Sequence, residues 1–125
     1  MTLMPIDDEG SRQHLVALLE RELSAVTFVR NYVQLHFDGP TLDAFTLPTV
    51  INSNSTISER DTGYRDALCA RIGATVVVAY ADPGEALRIT FSDGSSFSIS
   101  LRPEDRQTEA AAVYLDAQAK EWASW

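Results

Sequence analysis

His36 and Asp43 are the residues whose types and spacing come closest to a catalytic pair in this 125-residue chain. If Gly39 and Pro40 form a two-residue turn, the two side chains become cross-strand neighbours, with Asp38 close by. A carboxylate beside an imidazole orients the ring and raises its basicity, so such a pair can act as a general base. Because no nucleophile is tied to the pair by spacing, the sequence favours an exposed hairpin pair over a catalytic one.

The other reactive side chains favour packing or surface roles. Cys69, the single cysteine, follows Leu68 in an apolar pattern and is predicted to be buried, and one cysteine excludes an internal disulfide. With His14 and His36 as the two histidines, no histidine-rich or cysteine-rich metal site is expected. The chain carries no phosphate-binding glycine loop, dinucleotide fingerprint, calcium loop or serine nucleophile elbow. We expect no cofactor and no metal, and a non-enzymatic protein rather than an enzyme.

The charge balance bears on the class of partner. Eighteen acidic residues face ten basic ones, which gives a net charge of −8. Such a surface repels nucleic-acid phosphates and suits a basic protein partner. The N-terminal stretch has no basic start, and no segment approaches the roughly 20 apolar residues of a membrane span. We therefore expect a cytoplasmic protein, with no nucleic acid or membrane as partner, that binds another protein or a second copy of itself.

Three segments are predicted to contain helices within one domain that comprises residues 1–125. Apolar residues at helical spacing predict an amphipathic helix from about Ser11 to Ala25 and a short one from about Asp61 to Ile72. Alanine-rich sequence predicts a third helix from Thr108 to about Leu115, followed by an edge strand at Trp122–Trp125. A continuous helix to Trp122 is the alternative.

A hairpin is predicted between Thr27 and Val50. Its Gly39–Pro40 turn would pair Phe37 with Leu42. Both faces carry apolar residues, which favours a hairpin that is covered on both sides or shared with a partner. The polar stretch Asn52–Thr62 that follows is predicted to be an exposed loop, long enough to be functional.

Aromatic residues are concentrated in two places. Phe28, Tyr32 and Phe45 belong to the hairpin, and Trp122 and Trp125 belong to the C-terminal segment. They could line a ligand pocket or an association surface. Packing explains them as well and is favoured, with dimerisation as the most plausible functional use.

A three-stranded meander from about Thr75 to Leu101 is the strongest pattern in the sequence. Apolar and polar residues alternate in each segment, and turn residues separate the segments. At the first turn, a two-residue loop at Pro83–Gly84 pairs Tyr80 with Leu87 and brings apolar residues together.

The second turn of the meander is predicted to be a three-residue bulged turn, Ser92–Gly94. A two-residue loop would place Thr90 opposite Phe97 and mix the two faces, whereas the longer loop pairs Ile89 with Phe97. The meander then has one apolar face and one serine-rich, solvated face. Together the segments predict an α+β fold, in which an antiparallel sheet of about five to six strands is joined by an N-terminal helix and a short middle helix.

Two stretches resemble a group of small bacterial proteins of unassigned function. They run from Phe28 to Pro40 (FVRNYVQLHFDGP) and from Gly63 to Cys69 (GYRDALC). The resemblance implies a bacterial protein and brings no activity or cofactor. The positions that it places in a common pattern are Tyr32, Gln34, Asp38, Tyr64 and Arg65. By size, charge and architecture, the chain is also similar to immunity proteins that neutralise bacterial toxins.

The sequence therefore predicts a small, non-enzymatic, acidic interaction module that could be homodimeric. Two alternatives stay open. One is an immunity-type protein that binds a basic toxin through its acidic surface and the Asn52–Thr62 loop, and the other is a small enzyme that uses His36 with Asp43. The candidate surface residues are Tyr32, Gln34, His36, Asp38, Asp43, Tyr64 and Arg65.

Overall fold

The computed structural model describes residues 4–5 and 13–125. In that part of the chain, helical structure is limited to α1 (Tyr64–Cys69) and to two 3-10 turns at Val16–Leu18 and Pro103–Asp105. No helix among the described residues has the length and apolar character that crossing a membrane requires. The remaining regular structure is β.

Six strands of the described residues form the first sheet. They are β1 (Met4–Pro5), β3 (Ala25–Val29), β4 (Tyr32–His36), β5 (Thr41–Ala44), β11 (Ala112–Asp116) and β12 (Glu121–Ser124). Their order across the sheet is β1-β12-β11-β5-β4-β3. Neighbouring strands are antiparallel, except that β1 runs parallel to β12.

Six further strands form the second sheet. They are β2 (Gln13–His14), β6 (Thr49–Ile51), β7 (Thr56–Ile57), β8 (Val76–Asp82), β9 (Ala86–Phe91) and β10 (Ser96–Ser100). Their order is β2-β8-β9-β10-β6-β7, and all neighbouring pairs are antiparallel. The predicted meander forms the middle of this sheet.

One hydrophobic core joins the two sheets. Leu35 and Tyr114 from the first sheet belong to the same buried cluster as Ile89 and Phe97 from the second, and none of the four has exposed surface. Leu68 of α1 completes the cluster on one side. Two sheets that bury their inner faces against each other form a β-sandwich, and the predicted α+β class was wrong.

The predicted N-terminal helix, Ser11–Ala25, is absent in its described part, from residue 13 onward. Leu15, Leu18 and Leu23 are buried, as their spacing predicts. They lie in a segment of extended chain and a 3-10 turn, and not in an α-helix. The backbone pairs with β8, since the Leu15 N–H donates to the Ala79 carbonyl at 3.0 Å. Burial of these leucines therefore follows from pairing with a distant strand and not from a helical face.

Of the other two predicted helices, one is present and one is not. The middle helix exists but is shorter than the predicted Asp61–Ile72. The helix predicted from Thr108 is wrong, and so is its extension to Trp122, because β11 pairs with β5 and β12 there. A strand near Trp122 is confirmed, although β12 lies between β1 and β11 and is not an edge. Tertiary pairing has overridden the helix propensity of the alanines.

The second turn of the meander has the predicted form. Ile89 lies opposite Phe97, and the loop Ser92–Gly94 closes between Phe91 and Ser95. Gly94 has a φ of 89°, which a residue with a side chain adopts only with strain. The three-residue bulged turn is confirmed.

The first turn is one residue longer than predicted. The loop Pro83–Glu85 places Leu87 opposite Ala81, so the pairing of Leu87 with Tyr80 was wrong. A bulge at Val77 shifts the register by one residue, so that Val76 lies opposite Phe91 as predicted. The bulge leaves Val77 49% exposed. The small Ala79 and Ala81 are thus the buried residues.

The serine-rich face of the meander is not solvated throughout. Ser95 and Ser96 are buried, and Ser98 and Ser100 are half-buried. The prediction of a solvated serine face was therefore wrong for the first half of β10.

Asp93 stabilises the second meander turn. Its Oδ1 accepts hydrogen bonds from the backbone N–H of Ser95 at 2.8 Å and from the Ser95 hydroxyl at 2.5 Å. These bonds, and then the nearby Arg71 guanidinium, hold the pKa of Asp93 below its ordinary value. The ionised carboxylate is therefore the form that the folded turn prefers.

Replacing Asp93 with alanine is expected to lower the free energy of unfolding by about 1 kcal/mol at neutral pH. Because folding lowers the pKa, this contribution is present above pH ~4 and is lost as the pH falls through the folded value. The variant should therefore lose less stability on acidification than the wild type, as measured by urea denaturation at a series of pH values. Glu85→Ala, which removes an exposed 3.4 Å ion pair with Arg102, is the control with little expected loss. Equal losses in both variants would contradict the role of Asp93.

Candidate functional site

The β4–β5 turn consists of Asp38 and Gly39. Leu35 lies opposite Leu42, so the predicted Gly39–Pro40 loop was wrong by one residue and its pairing of Phe37 with Leu42 was wrong by two. Asp38 and Gly39 both have positive φ, as expected of the tight turns that join antiparallel strands. A shift of two residues leaves every side chain on its predicted face, but it changes each cross-strand neighbour.

The predicted His36–Asp43 pair does not form. His36 lies opposite Thr41, and Asp43 lies opposite Gln34. The Gln34 side chain donates to Asp43 Oδ1 at 2.8 Å, and His36 Nε2 lies 3.0 Å from the Thr27 hydroxyl. The enzyme alternative required the His36 and Asp43 side chains to be cross-strand neighbours. In the structure, each of them lies opposite a different residue.

The backbone of Asp38 stabilises the β4–β5 turn through two hydrogen bonds. Its carbonyl accepts from the Arg21 guanidinium at 2.8 Å, and its N–H donates to Ser24 Oγ at 3.2 Å. Asp38 itself is exposed at the opposite end of β4 from Tyr32. It therefore lies apart from Tyr64 and Arg65, with which the sequence pattern grouped it.

Four of the candidate residues share the face of the first sheet that is turned away from the core, called here the outer face. They alternate with buried residues of β4 and β5, and each is half-buried. These four are Tyr32, Gln34, His36 and Asp43. Leu115 and Trp122, which are each 38% exposed and lie opposite each other, continue the outer face toward the C-terminus. The side of this hairpin that faces the core is buried, whereas its outer face is mainly polar, and the prediction that the hairpin is covered on both sides or shared with a partner stays a prediction.

A groove of about 950 Å³ lies at the end of the sandwich where β3 turns into β4, and it is called the end groove. Three segments line it: the β3–β4 hairpin with the residues after β5, the stretch 59–65, and the stretch 104–108. Its aromatic and charged lining residues include Phe28, Arg30, Tyr32, Phe45, Glu59, Arg60, Tyr64, Arg65, Glu104 and Asp105. Three of the seven candidate residues, Tyr32, Tyr64 and Arg65, thus meet here.

Aromatic rings line the end groove from both faces of the first sheet, with Tyr32 and Phe45 on the outer face and Phe28 on the core-facing side. The Tyr32 and Phe45 rings lie 4.8 Å apart between centroids, with a tilt of 38° between their planes. The Arg65 guanidinium lies 5.3 Å from the centroid of the Phe28 ring, within the range of a cation–π contact. Phe28 is still 38% exposed. The rings are fixed by their neighbours and remain accessible to a ligand.

Tyr64 anchors the middle helix at the floor of the end groove. It is 8% exposed, and its hydroxyl donates to the carbonyl of Pro48. Burial, and secondly the negative charge of Glu59, raises the pKa of the Tyr64 phenol. Tyr64 therefore remains neutral and acts as a structural donor that holds α1 against the second sheet.

Both signs of charge are present at the rim of the end groove. Arg30, Arg60 and Arg65 make no ion pair with any described residue. Glu104 and Asp105 lie on another wall, where Asp105 accepts from the Ser100 hydroxyl at 2.5 Å. Positive side chains are thus available to a ligand within a chain of net charge −8.

Two expectations about single segments are corrected. Cys69 is exposed, so the prediction of a buried thiol was wrong. The stretch Asn52–Thr62 is not a loop throughout, because β7 pairs with β6 inside it. Its second half places Glu59 and Arg60 in the end groove.

A second, more apolar cavity of about 610 Å³ lies at the other side of the sandwich. Val16, Leu19, Val77 and Val78 line it and are each more than a third exposed. No pattern in the sequence predicts this cavity, since its lining includes the bulge in β8 and the turn found in place of the predicted N-terminal helix. Among the described residues, no group of three or more histidine, cysteine or carboxylate side chains is arranged to hold a metal ion.

The fold and site define a mostly-β, two-sheet protein with an aromatic and arginine-lined groove at one end. No protein-family model, curated protein or solved structure matches this chain. The resemblance to small bacterial proteins stays a prediction.

Proposed function

We propose that this protein is a non-enzymatic interaction module that binds a segment of a partner protein in the end groove. The observation that carries the proposal is the cluster of accessible aromatic rings and unpaired arginines on the walls of one groove. Aromatic and arginine side chains are enriched among the residues that dominate binding energy at protein interfaces.

The aromatic rings of the end groove supply the apolar anchor of the proposed interaction. Tyr32 and Phe45 already hold each other in place, so a bound side chain would not have to order them. Phe28 offers a third ring whose edge is reachable beside the Arg65 guanidinium. Fixed rings of this kind provide contact area at a small cost in conformational entropy.

The charges at the rim favour a polypeptide over a small ligand that carries a single kind of charged or polar group. Arg30 and Arg60 offer donors for carboxylates or backbone carbonyls, whereas Glu104 and Asp105 offer acceptors on another wall. A peptide segment carries both kinds of group along its length. The volume of about 950 Å³ lies at the upper end of small-molecule sites, which also suits a segment with several side chains.

Replacing Tyr32 with alanine or Arg65 with glutamate is expected to weaken partner binding at least tenfold. Each change removes a central contact, and losses of 2 kcal/mol or more (roughly thirtyfold) are common for such residues. The partner is captured with the immobilised wild-type protein, identified by mass spectrometry, and its affinity is then measured by titration calorimetry with each variant.

Lys120→Glu is the matched charge-reversal control for Arg65→Glu. Lys120 is exposed in the β11–β12 turn, at the opposite end of the first sheet from Phe45. Its variant should bind the partner as the wild type does. A partner that binds both groove variants with unchanged affinity would refute the proposal, provided that circular dichroism shows them folded.

An immunity-type protein that neutralises a basic toxin is the second candidate. The net charge of −8 favours it, and so does the contribution of the Asn52–Thr62 stretch to the end groove through Glu59. This candidate requires a cationic partner whose affinity falls as salt rises. An affinity for the partner that is equal at low and high salt would contradict the toxin-binding role. It would not contradict the proposed interaction module.

A further inference from the structure

We propose that two copies of this chain associate through the exposed edge of β3, so that their first sheets join into one continuous antiparallel sheet. The two-fold axis passes between the Thr27 residues of the two copies. The inference rests on the edge of β3 and not on the proposed function, although Phe28 and Arg30, which it uses, also line the end groove.

The edge of β3 carries neither a charged residue nor a proline within the strand. In the described part of the chain, β3 has one neighbour, β4, and its other edge has no strand beside it. Its five residues, Ala-Val-Thr-Phe-Val, include no charge and no proline. Natural edge strands are commonly shielded by lysine, proline, a bulge or short length. An uncharged five-residue edge with β-branched residues is therefore a template for another strand.

The exposed side chains agree with an open edge. Thr27, Phe28 and Val29 are all exposed, with 38% for Phe28 and 41% for Val29. Phe28 lies opposite the buried Val33, so it projects on the core-facing side of the sheet. Arg65 of α1 approaches it there.

The β3–β4 turn determines which backbone groups of β3 face outward. Arg30 and Asn31 form a two-residue loop that closes with Val29 opposite Tyr32. The closing pair of such a loop exchanges its hydrogen bonds across the strands, and this pattern repeats at every second residue. The N–H and C=O groups of the intervening residues, Val26 and Phe28, therefore point away from β4.

One antiparallel register uses all of the outward groups. If Val26 of one copy lies opposite Phe28 of the second copy, both residues exchange backbone hydrogen bonds across the axis. The same register places Ser24 opposite Arg30, although the Ser24 N–H already donates to the His36 carbonyl of its own chain at 2.8 Å. Thr27 then lies opposite Thr27 as a non-hydrogen-bonded pair, with Cα atoms about 4.5 Å apart.

Charge complementarity favours this register. Ser24 Oγ accepts the backbone N–H of Asp38 at 3.2 Å, so Asp38 lies beside the position that Arg30 of the second copy would reach. Neither the Arg30 guanidinium nor the Asp38 carboxylate makes an ion pair with a described residue. The two-fold axis creates the Arg30–Asp38 contact twice.

The test is a disulfide across the axis. Cysteine is placed at position 27 by Thr27→Cys in a Cys69→Ser background, because Cys69 is exposed and would cross-link on its own. Mild oxidation should convert most of this variant into a covalent dimer. Light scattering should give the unmodified protein twice its chain mass of 13.8 kDa, and Thr27→Lys should raise the dimer dissociation constant at least tenfold.

Val29→Cys in the same background is the matched control. In the proposed register, the two copies of residue 29 are offset by four positions, about 13 Å along the strand, which is too far for a disulfide. Arg30→Asp should weaken the dimer, and adding Asp38→Arg should restore it. A monomer at the highest accessible concentration overturns the proposal, as does cross-linking of position 29 as fast as position 27.

Discussion

Replacing Phe97 with alanine is expected to lower the free energy of unfolding by about 3–5 kcal/mol. Phe97 has no exposed surface, and it lies opposite Ile89 at the centre of the meander. Its ring meets the Phe91 ring edge to face, with centroids 5.1 Å apart and planes at 80°. The change therefore removes the buried ring, opens a cavity between the sheets, and loses an aromatic pair worth roughly 1 kcal/mol beyond its buried area.

Such a loss would consume much of the stability of a small domain, which is typically about 5–15 kcal/mol. Urea denaturation followed by tryptophan fluorescence measures it. Val77→Ala is the control, because Val77 is 49% exposed at the bulge of β8, and such a surface change usually stays within about 0.5 kcal/mol. A loss below about 1 kcal/mol for Phe97→Ala would contradict its place in the core between the sheets.

The meander shows which parts of a sheet local sequence can determine. Its second turn could be predicted because Ile89, Thr90 and Phe97 differ enough in polarity for one register to keep the faces separate. The first turn could not, because Ala79 and Ala81 have less apolar surface than Tyr80 and Val78, although the alanines are the buried residues. The bulge at Val77 then reverses the parity within one strand.

The helices failed for a different reason. The leucines between 15 and 23 have a spacing that fits a helix, but they are buried in a segment whose backbone pairs with β8 and with the residues just before it, far along the chain. Ala111 and Ala112 have high helix propensity, yet their small side chains fit where β11 packs into the core. Propensity acts over a few residues, whereas these contacts depend on the assembled sheets.

The candidate site was predicted in part. Tyr32, Tyr64 and Arg65 were selected from two separate stretches, and the structure brings them to one groove. Its third wall, residues 104–108, was not identified because part of that segment was predicted to begin a helix. The His36–Asp43 pair failed because a turn one step earlier in the chain gave each residue a different neighbour.

Above pH ~10, the protein is expected to lose stability steeply, because two buried tyrosines keep their protons in the folded state. Burial, and then Glu59, raises the pKa of Tyr64 above its ordinary value. Burial, and then the carboxylates of Asp116 and Glu121, raises the pKa of Tyr114 in the same direction. The stability that each protonated phenol contributes is present below the unfolded pKa and is lost as the pH rises toward the folded one.

The slope of the free energy of unfolding against pH follows from the number of phenol protons that unfolding releases. Above pH ~10 the unfolded chain releases both phenol protons while the folded protein holds them, so unfolding becomes easier by about 1.4 kcal/mol per pH unit for each tyrosine. Two tyrosines give roughly 2.7 kcal/mol per pH unit. Urea denaturation at closely spaced pH values measures the slope, and the absorbance of phenolate at each pH reports when the protons leave.

Two phenylalanine variants separate the tyrosines. Tyr64→Phe and Tyr114→Phe should each remove about half of the alkaline slope, since each removes one titrating phenol. They should differ at neutral pH. Tyr64→Phe leaves the buried Pro48 carbonyl without its donor and should cost about 1 kcal/mol.

Tyr114→Phe should cost nothing at neutral pH or should stabilise the protein. The Tyr114 hydroxyl is buried and has no hydrogen-bond partner among the described residues, so removing it relieves an unpaired polar group while keeping the ring in the core. Equal losses for the two variants at neutral pH would mean that the Tyr114 hydroxyl is paired in the folded protein. An unchanged alkaline slope in the double variant would mean that other groups, and not these phenols, hold the protons that the folded state retains.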